Sequence, residues 1–218
     1  MATPISPSPS SSRTTARRRA TMEEILDHAE AILRESGAGA ITVAEIARRM
    51  DMRSPSIYKY VDSLHTIYDG LFARGQQKVA DHIRRAVEDQ EPGLDRLLAG
   101  LRAWVRWTIE QPGLASLLFW RPVPGFEPSP ASYAPAQEIW QATRNELHTA
   151  VERGELAEQA DSDDAARLLT ILVSGVFSQQ VSNQPGVPFD EGLFTSLTDE
   201  VLGMFVTHYS RAQRKVRR

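Results

Sequence analysis

Helical periodicity is the feature of this sequence that most restricts its fold. Apolar residues recur at intervals of three and four along most of the 218-residue chain, and the strict alternation typical of a half-buried strand is nowhere sustained. Proline and glycine divide the periodic stretches, for example in "EPG" at 91–93 and "QPG" at 111–113. We therefore predict an all-α fold of about nine helices.

Composition excludes several classes of protein. The chain has no cysteine, which rules out disulfides, cysteine-ligated zinc sites and thiol nucleophiles. Its longest mainly apolar run, "LLTILVSGVF" at 168–177, is too short to span a bilayer, and the N-terminus has no apolar stretch of signal-peptide length. These features predict a cytoplasmic protein that does not have a membrane as a partner.

Charge is distributed unevenly along the chain. The first 20 residues contain four arginines and no acid, whereas residues 61–210 contain 21 acidic and 11 basic side chains. A basic beginning followed by an acidic body indicates an anionic partner near the N-terminus. For the basic tail at 213–218 we favour a solubilising role.

The N-terminal segment is predicted to be disordered up to the first helix. Residues 1 to about 15 are largely Ser, Pro and Thr, which bury too little apolar surface to order the chain. We assign residues 1–20 to a disordered basic arm. Thr21 and Glu24 have the spacing of a capping box, so the first helix is expected to begin there and to end near Gly37.

Two further helices follow closely and outline a helix-turn-helix. Thr42 and Glu45 form a second capping box at the start of a short helix. After only three residues, "DMR", a third helix is expected with Ser54 as its cap and Pro55 in its first position. In a helix-turn-helix, the second of two such helices enters the major groove of DNA.

The residues of this region resemble the TetR family of transcriptional regulators. The match covers "ITVAEIARRMDMRSPSIYKYVDSLHTIYDGL" at 41–71, where the Ile46-Ala47 pair, "YKYV" at 58–61 and Ile67 fall in register with the family pattern. With the preceding helix it spans about a quarter of the chain. Two positions depart from the pattern: Asp51 stands where a glycine is usual, and Leu64 and His65 stand where a lysine commonly holds a phosphate.

The resemblance implies an N-terminal three-helix DNA-binding domain and a C-terminal helical domain for ligand binding and dimerisation. We place the boundaries at 21–66 and 67–212. Helical spacing puts Ile57 and Val61 on one face, toward the core, and Ser54, Ser56, Lys59 and Tyr60 outside. The candidate DNA-contacting residues are Thr42, Arg53, Ser54, Pro55, Ser56, Tyr58, Lys59, Tyr60, His65, Arg17, Arg18 and Arg19.

Different chemistry is expected within this set. Small residues at the start of the third helix let the backbone approach base edges, where hydroxyls donate and accept, and Arg53 can read guanine or hold a phosphate. Lys59 and the tyrosine hydroxyls suit phosphate contacts, which position the helix without specifying sequence. Two alternatives remain open: the ring of Tyr58 belongs to the core, and the arginines of the arm only solubilise it.

Two patterns in the remaining chain suggest further sites. Apolar residues on the last two long helices are predicted to form a dimer interface of the kind usual in the family, with the monomer core as the alternative: Leu168, Leu172, Val176, Leu197, Val201 and Phe205. Aromatic residues of the middle and late chain are candidates for the lining of a ligand pocket, with ordinary core packing as the alternative: Trp104, Trp107, Phe119, Trp120, Trp140 and Phe177.

Together these observations predict a homodimeric regulator that a small-molecule effector releases from a palindromic DNA operator. We expect neither a cofactor nor a metal site, and no enzyme: the five histidines form no metal-binding pair, and neither a P-loop nor a G-x-S-x-G motif occurs. The alternative is a helical binding or scaffold protein whose helix-turn-helix no longer binds DNA.

Overall fold

The computed structural model describes residues 9–210, with side chains from residue 15 onward. Nine α-helices and four short 3₁₀ turns form within this range, and no strand does, so the predicted all-α fold is confirmed. None of these helices is long and apolar enough to cross a membrane. The helices are α1 (Pro9–Ser36), α2 (Val43–Arg49), α3 (Ser54–Ile57), α4 (Leu64–Ala86), α5 (Leu94–Glu110), α6 (Pro112–Phe119), α7 (Pro130–Glu152), α8 (Asp163–Asn183) and α9 (Thr198–His208).

The first helix begins earlier than the capping box predicts. α1 runs through Thr21, whose hydroxyl donates to the carbonyl oxygen of Arg17 (3.2 Å) instead of capping. Residues 9–20 are therefore helical rather than disordered, because alanine and arginine before Thr21 are good helix formers and continue the helix without a cap. Residues 1–8 of the predicted arm lie outside the described residues, as does the tail at 213–218.

Hydroxyl caps fix the starts of the helices that follow. The Thr42 hydroxyl accepts from the N–H of Glu45 (3.1 Å), so α2 begins at the predicted capping box, and the Ser63 hydroxyl accepts from the N–H of Thr66 (3.3 Å) at the start of α4. In α3, however, Arg53 occupies the cap position and Ser54 is the first helical residue. Only four residues of α3 are regular α-helix, and residues 58–60 continue as a turn.

Two later boundaries also differ from the sequence pattern, which predicts one helix from about 136 to 152 and a last one from about 190 to 211. α7 begins at Pro130 rather than near 136, because Ser129 caps it by accepting from the N–H of Ser132 (3.3 Å) and proline suits a first turn. Pro135 lies within the helix. The segment 189–197, expected to open the last helix, instead forms two 3₁₀ turns before α9.

Two hydrophobic clusters hold the helices together. The first contains the apolar faces of α1 to α3 and the first part of α4, and it also includes Trp107, Leu117 and Phe126 from farther along the chain. The second lies among α5, α7, α8 and α9 and centres on residues such as Leu147 and Leu169. The first cluster therefore crosses the predicted domain boundary at 66.

Candidate nucleic-acid interface and ligand cavity

The turn between α2 and α3 holds the two helices in a helix-turn-helix. The N–H of Met52 donates to the carbonyl oxygen of Ala47 (2.8 Å), and Asp51 adopts a left-handed conformation with φ 52°. Ile46 and Ile57 are fully buried, and Val61 is 1% exposed. The buried residues anchor α3 against α1 and α2, so its opposite side faces away from the core.

The predicted DNA-contacting residues are mostly accessible on that side. Tyr58 is 55% exposed, so the alternative that its ring belongs to the core is wrong, whereas Tyr60, expected to lie outside, is half-buried against the first cluster. Ser54 and Ser56 are also half-buried. Besides Tyr58, the exposed members of the set are Thr42, Arg53, Pro55, Lys59, His65, Arg17, Arg18 and Arg19.

Ion pairs distinguish the arginines of α2 from the cations around α3. Arg48 and Arg49 both bind Glu45, and the two guanidinium groups lower the pKa of that carboxyl to about 2. Among the residues whose side chains are described, Arg53 and Lys59 have no ion-pair partner. The positive charge available to an anion therefore lies at α3 rather than along α2.

Four of the six aromatic residues predicted for a pocket contact one another. The rings of Trp104, Phe119, Trp120 and Phe177 lie 5.4–6.1 Å apart, centroid to centroid, in tilted and edge-to-face arrangements. Trp107 is buried in the first cluster, and Trp140 is half-buried against the second. These rings pack on each other and leave little space between them.

A cavity of about 260 Å³ lies instead between α4, α5 and α7. Of the six predicted pocket residues, Trp104 alone lines it. Small residues create the space, because Ala80, Gly100 and Ala142 face one another from the three helices. The sequence-based prediction favoured bulky aromatic residues and missed this signal. The larger apolar side chains in the wall are Ile83, Val87, Leu97, Leu101 and Ile139.

Charged groups at the rim of the cavity are mostly engaged with neighbouring groups. Arg84 pairs with Asp81, and Arg96 donates to the carbonyl oxygen of Gln90 (2.6 Å). Glu146 accepts from the N–H of Gly93 (2.7 Å), before the first turn of α5. The wall of the cavity is therefore mainly apolar.

Large apolar side chains of α8, of α9 and of residues 193–197 before α9 are exposed in the single chain, and we call this set the apolar face of α8 and α9. Ile171, Leu193, Leu197 and Met204 are between 47% and 67% exposed. Three predicted interface residues are half-buried beside them, and two belong to the core. The half-buried residues are Leu168, Leu172 and Val201, and the core residues are Val176 and Phe205.

Sequence periodicity could have located this face more accurately. On α8, Leu168, Ile171, Leu172 and Gly175 follow the spacing of one helical stripe, and an added Cβ at Gly175 would meet no atom within 4 Å. Val176 lies on the next stripe, which turns toward the core. The prediction followed the wrong stripe, and it therefore included the buried Val176 and missed the exposed Ile171.

Comparisons with known proteins agree with both halves of this architecture. Residues 97–201 match the family model described as the tetracyclin repressor-like C-terminal domain. YobS of Bacillus subtilis (strain 168), an uncharacterized HTH-type transcriptional regulator, is 30% identical over 93 residues, which are 43% of this chain and 48% of that protein. The alignments thus span about half the length of these relatives.

Solved structures share the fold at low sequence identity. The TetR family transcriptional regulator PfmR from Thermus thermophilus superposes with a TM-score of 0.60 at 16% identity, over 84% of this chain and 97% of PfmR. AibR, solved in complex with isovaleryl coenzyme A and operator DNA, has a TM-score of 0.64 at 14% identity, over 84% of this chain and 96% of AibR. The C-terminal half of the chain thus matches the tetracyclin repressor-like domain, and the chain is similar to HTH-type transcriptional regulators and shares the fold of a TetR family regulator.

Proposed function

We propose that this protein is a homodimeric repressor that binds a palindromic DNA operator and is released from it by a small-molecule effector. The observation that carries the proposal is the division of α3. Ile57 of α3 and Val61 just after it are buried in the core, while Pro55 of α3 and Tyr58 and Lys59 of the following turn are exposed. A helix that reads DNA needs this division between an anchored face and an accessible one.

Charge supports DNA as the partner of that surface. Arg53 and Lys59 are not neutralised by any carboxylate of the described residues, and three arginines of α1 are exposed on the same N-terminal part of the chain. Cations of this kind hold phosphates and give binding that weakens as salt rises. AibR, which shares the fold, is bound to operator DNA in its structure.

The apolar face of α8 and α9 supports a homodimer. Four exposed large apolar residues within one face favour burial against a second copy, and a two-fold axis pairs the same surface from each subunit. Such a dimer would place two copies of α3 in successive major grooves, about 34–36 Å apart. The operator would then share the two-fold symmetry of the protein.

The cavity between α4, α5 and α7 is the proposed effector site. Its volume of about 260 Å³ and its mainly apolar wall suit a compact, largely apolar molecule. α4 lines the cavity near its C-terminal end and begins directly after the helix-turn-helix. An effector that moves α4 would therefore change the separation of the two α3 helices.

Selection of bound sequences from a random pool of duplex DNA tests the proposal. We expect a palindromic consensus, and binding to it should weaken steeply as salt is raised. Lys59→Ala should lower affinity across all sequences and reduce the slope of log K against log salt by about 1. Lys78→Ala is the matched control, since Lys78 already pairs with Glu30.

A second outcome would favour the alternative function. If the purified dimer shows no salt-dependent binding to duplex DNA, the helix-turn-helix is a structural relic and the protein is a helical scaffold. If Lys78→Ala has the same effect as Lys59→Ala, α3 is not the DNA-contacting helix.

A further inference from the structure

α4 and α7 lie side by side and run in the same direction. Asp69, near the start of α4, contacts Ser129 at the start of α7. Farther along both helices, Ile83 and Val87 face Ile139 across the cavity. The two helices are thus joined at their N-terminal ends and separated by a space toward their C-terminal ends.

The polar part of this junction is made by one carboxylate. Asp69 Oδ1 accepts from the N–H of Ser129 (2.7 Å) and Oδ2 accepts from its hydroxyl (2.9 Å), while the hydroxyl of Ser132 donates to the carbonyl oxygen of Asp69 (3.4 Å). Ser129 is the cap of α7. A negative charge at a helix N-terminus is favourable, so Asp69 holds the start of α7 against α4.

The apolar part of the junction is Phe126, which precedes α7. Phe126 is 7% exposed and its ring lies 5.7 Å from that of Tyr68 and 6.5 Å from that of Phe72. It also meets the ring of His65 edge to face, at 6.0 Å. His65 lies in the first turn of α4, so the junction reaches the end of α4 that adjoins the proposed DNA surface.

The cavity and the junction therefore lie at different ends of the same pair of helices. A molecule that enters between the C-terminal parts of α4 and α7 changes the angle between them. With their N-terminal ends bonded together, that change of angle turns the first turn of α4 about the junction. Without the bonds, the start of α7 can shift instead, and α4 keeps its place.

We propose that the junction of Asp69, Ser129 and Phe126 is the pivot through which occupation of the cavity moves the DNA-facing end of α4, with Asp69 as a positioning residue. This inference rests on the proposed function, because it concerns how the proposed effector site acts on the proposed DNA surface. It adds the residues that carry the coupling.

A cavity-filling substitution serves as the probe in place of an effector. An added Cβ at Gly100 would lie 3.4 Å from Val87 Cγ1 and 3.5 Å from Ile83 Cγ2, so Gly100→Leu places its side chain in the cavity against α4. In the otherwise unchanged dimer, Gly100→Leu should weaken binding to the selected operator by about 5- to 150-fold, the usual range of coupling between sites.

Removal of the pivot should abolish that effect. In an Asp69→Ala background, Gly100→Leu should change operator affinity by no more than about twofold, which a double-mutant cycle measures. Asp69→Asn, which keeps an oxygen acceptor and can donate to the Ser129 hydroxyl, should restore the coupling. Asp81→Ala is the matched control: it removes the same charge from α4, and its hydrogen bonds lie within α4, so the coupling should persist.

Hydrogen exchange at the amides of residues 65–68 provides a readout that does not require DNA. Gly100→Leu should alter exchange there by severalfold in the parent protein but not with Asp69→Ala. Should Asp69→Ala fail to fold, Ser129→Ala replaces it, since it removes only the hydroxyl contacts. Equal effects of Gly100→Leu with and without the junction, or no effect in either, would overturn the pivot. Loss of DNA binding in the parent protein would instead count against the proposed function.

Discussion

Asp51 lies in the turn between α2 and α3 and has a backbone conformation that most residues avoid. Its φ of 52° lies in the left-handed region, where the family usually has glycine. Aspartate tolerates this region better than most residues, because its short side chain can bond locally. The departure from the family pattern therefore leaves the geometry of the turn intact.

The first prediction concerns this residue. Asp51→Val should lower the free energy of unfolding by about 1–2 kcal/mol, because a β-branched side chain is poorly compatible with a left-handed backbone. Asp51→Gly is the control and should be close to neutral. Urea denaturation followed by circular dichroism measures both. A valine variant as stable as the glycine variant would mean that the turn relaxes to another conformation.

At the scale of elements, the apolar face of α8 and α9 is the proposed dimer interface. Ile171→Glu or Met204→Glu should weaken dimerisation by about 3 kcal/mol, roughly a hundredfold in the dissociation constant, because each buries an unpaired charge. Both residues are more than 60% exposed in the single chain, so the fold should be retained.

Sedimentation equilibrium measures this change in association. Asn183→Glu adds the same charge to an exposed end of α8 and should leave the dimer unaffected. Dimers of unchanged stability in both glutamate variants would place the interface elsewhere. Operator affinity should fall together with dimerisation, since each half-site alone binds weakly.

The contact between α7 and the segment before α8 depends on pH. His148 Nδ1 lies 2.7 Å from Asp161 Oδ2, and this hydrogen bond, with the charge of Glu152, raises the pKa of His148 above 6.5 despite the opposing charge of Arg144. A raised pKa in the folded state means that protonation stabilises the fold. This contribution is fully present below about pH 6.5 and is lost as the pH rises through the raised value.

The expected result is a free energy of unfolding that falls as the pH rises from about 6.5 through the raised pKa of His148. His148→Asn should flatten the pH dependence over that interval, and Asp161→Asn should do the same from the other side of the contact. Denaturant unfolding at several pH values measures this pH dependence of the free energy of unfolding. If the parent protein and both variants show the same dependence, another group is responsible.

Local signals account for what the sequence predicted correctly at the level of elements. Caps such as Thr42 act within three residues, and the buried pair of Ile57 and Val61 follows from the helical period, so both are readable from the sequence. The predicted start of α1 at Thr21 was wrong, because the helix propensity of the residues before Thr21 outweighs the capping signal. The predicted start of α7 was also wrong, because Ser129 lies within the proline-rich segment and caps a helix that begins at Pro130.

Long-range packing explains what the sequence did not predict. Whether Trp120 and Phe177 enclose a space or fill it depends on which helices face each other, and in this fold they pack together. The cavity arises where Ala80 and Gly100 face one another, residues far apart in sequence. The contact of Asp69 with Ser129 joins positions 60 residues apart and has no local signature.

At the scale of the whole molecule, the core of the N-terminal helices is completed by later parts of the chain. Trp107 and Leu117 are buried with Ile25 and Ile46 in one cluster, and Phe126 closes it from the connection between α6 and α7. Side chains of the C-terminal half therefore pack in the same core as the helix-turn-helix, so a movement of one half is felt by the other. This shared packing supports the proposed coupling between the cavity and the DNA-facing surface.

The same shared cluster limits how the protein can be re-engineered. A chimeric regulator made by joining residues 1–66 to the C-terminal half of another protein would separate Ile25 and Ile46 from the cluster members that α5, α6 and Phe126 supply. Such a hybrid should express poorly unless the incoming half carries compatible side chains at those places. Exchange of the exposed residues of α3 alone leaves the cluster intact, and it is the safer route to a new operator preference.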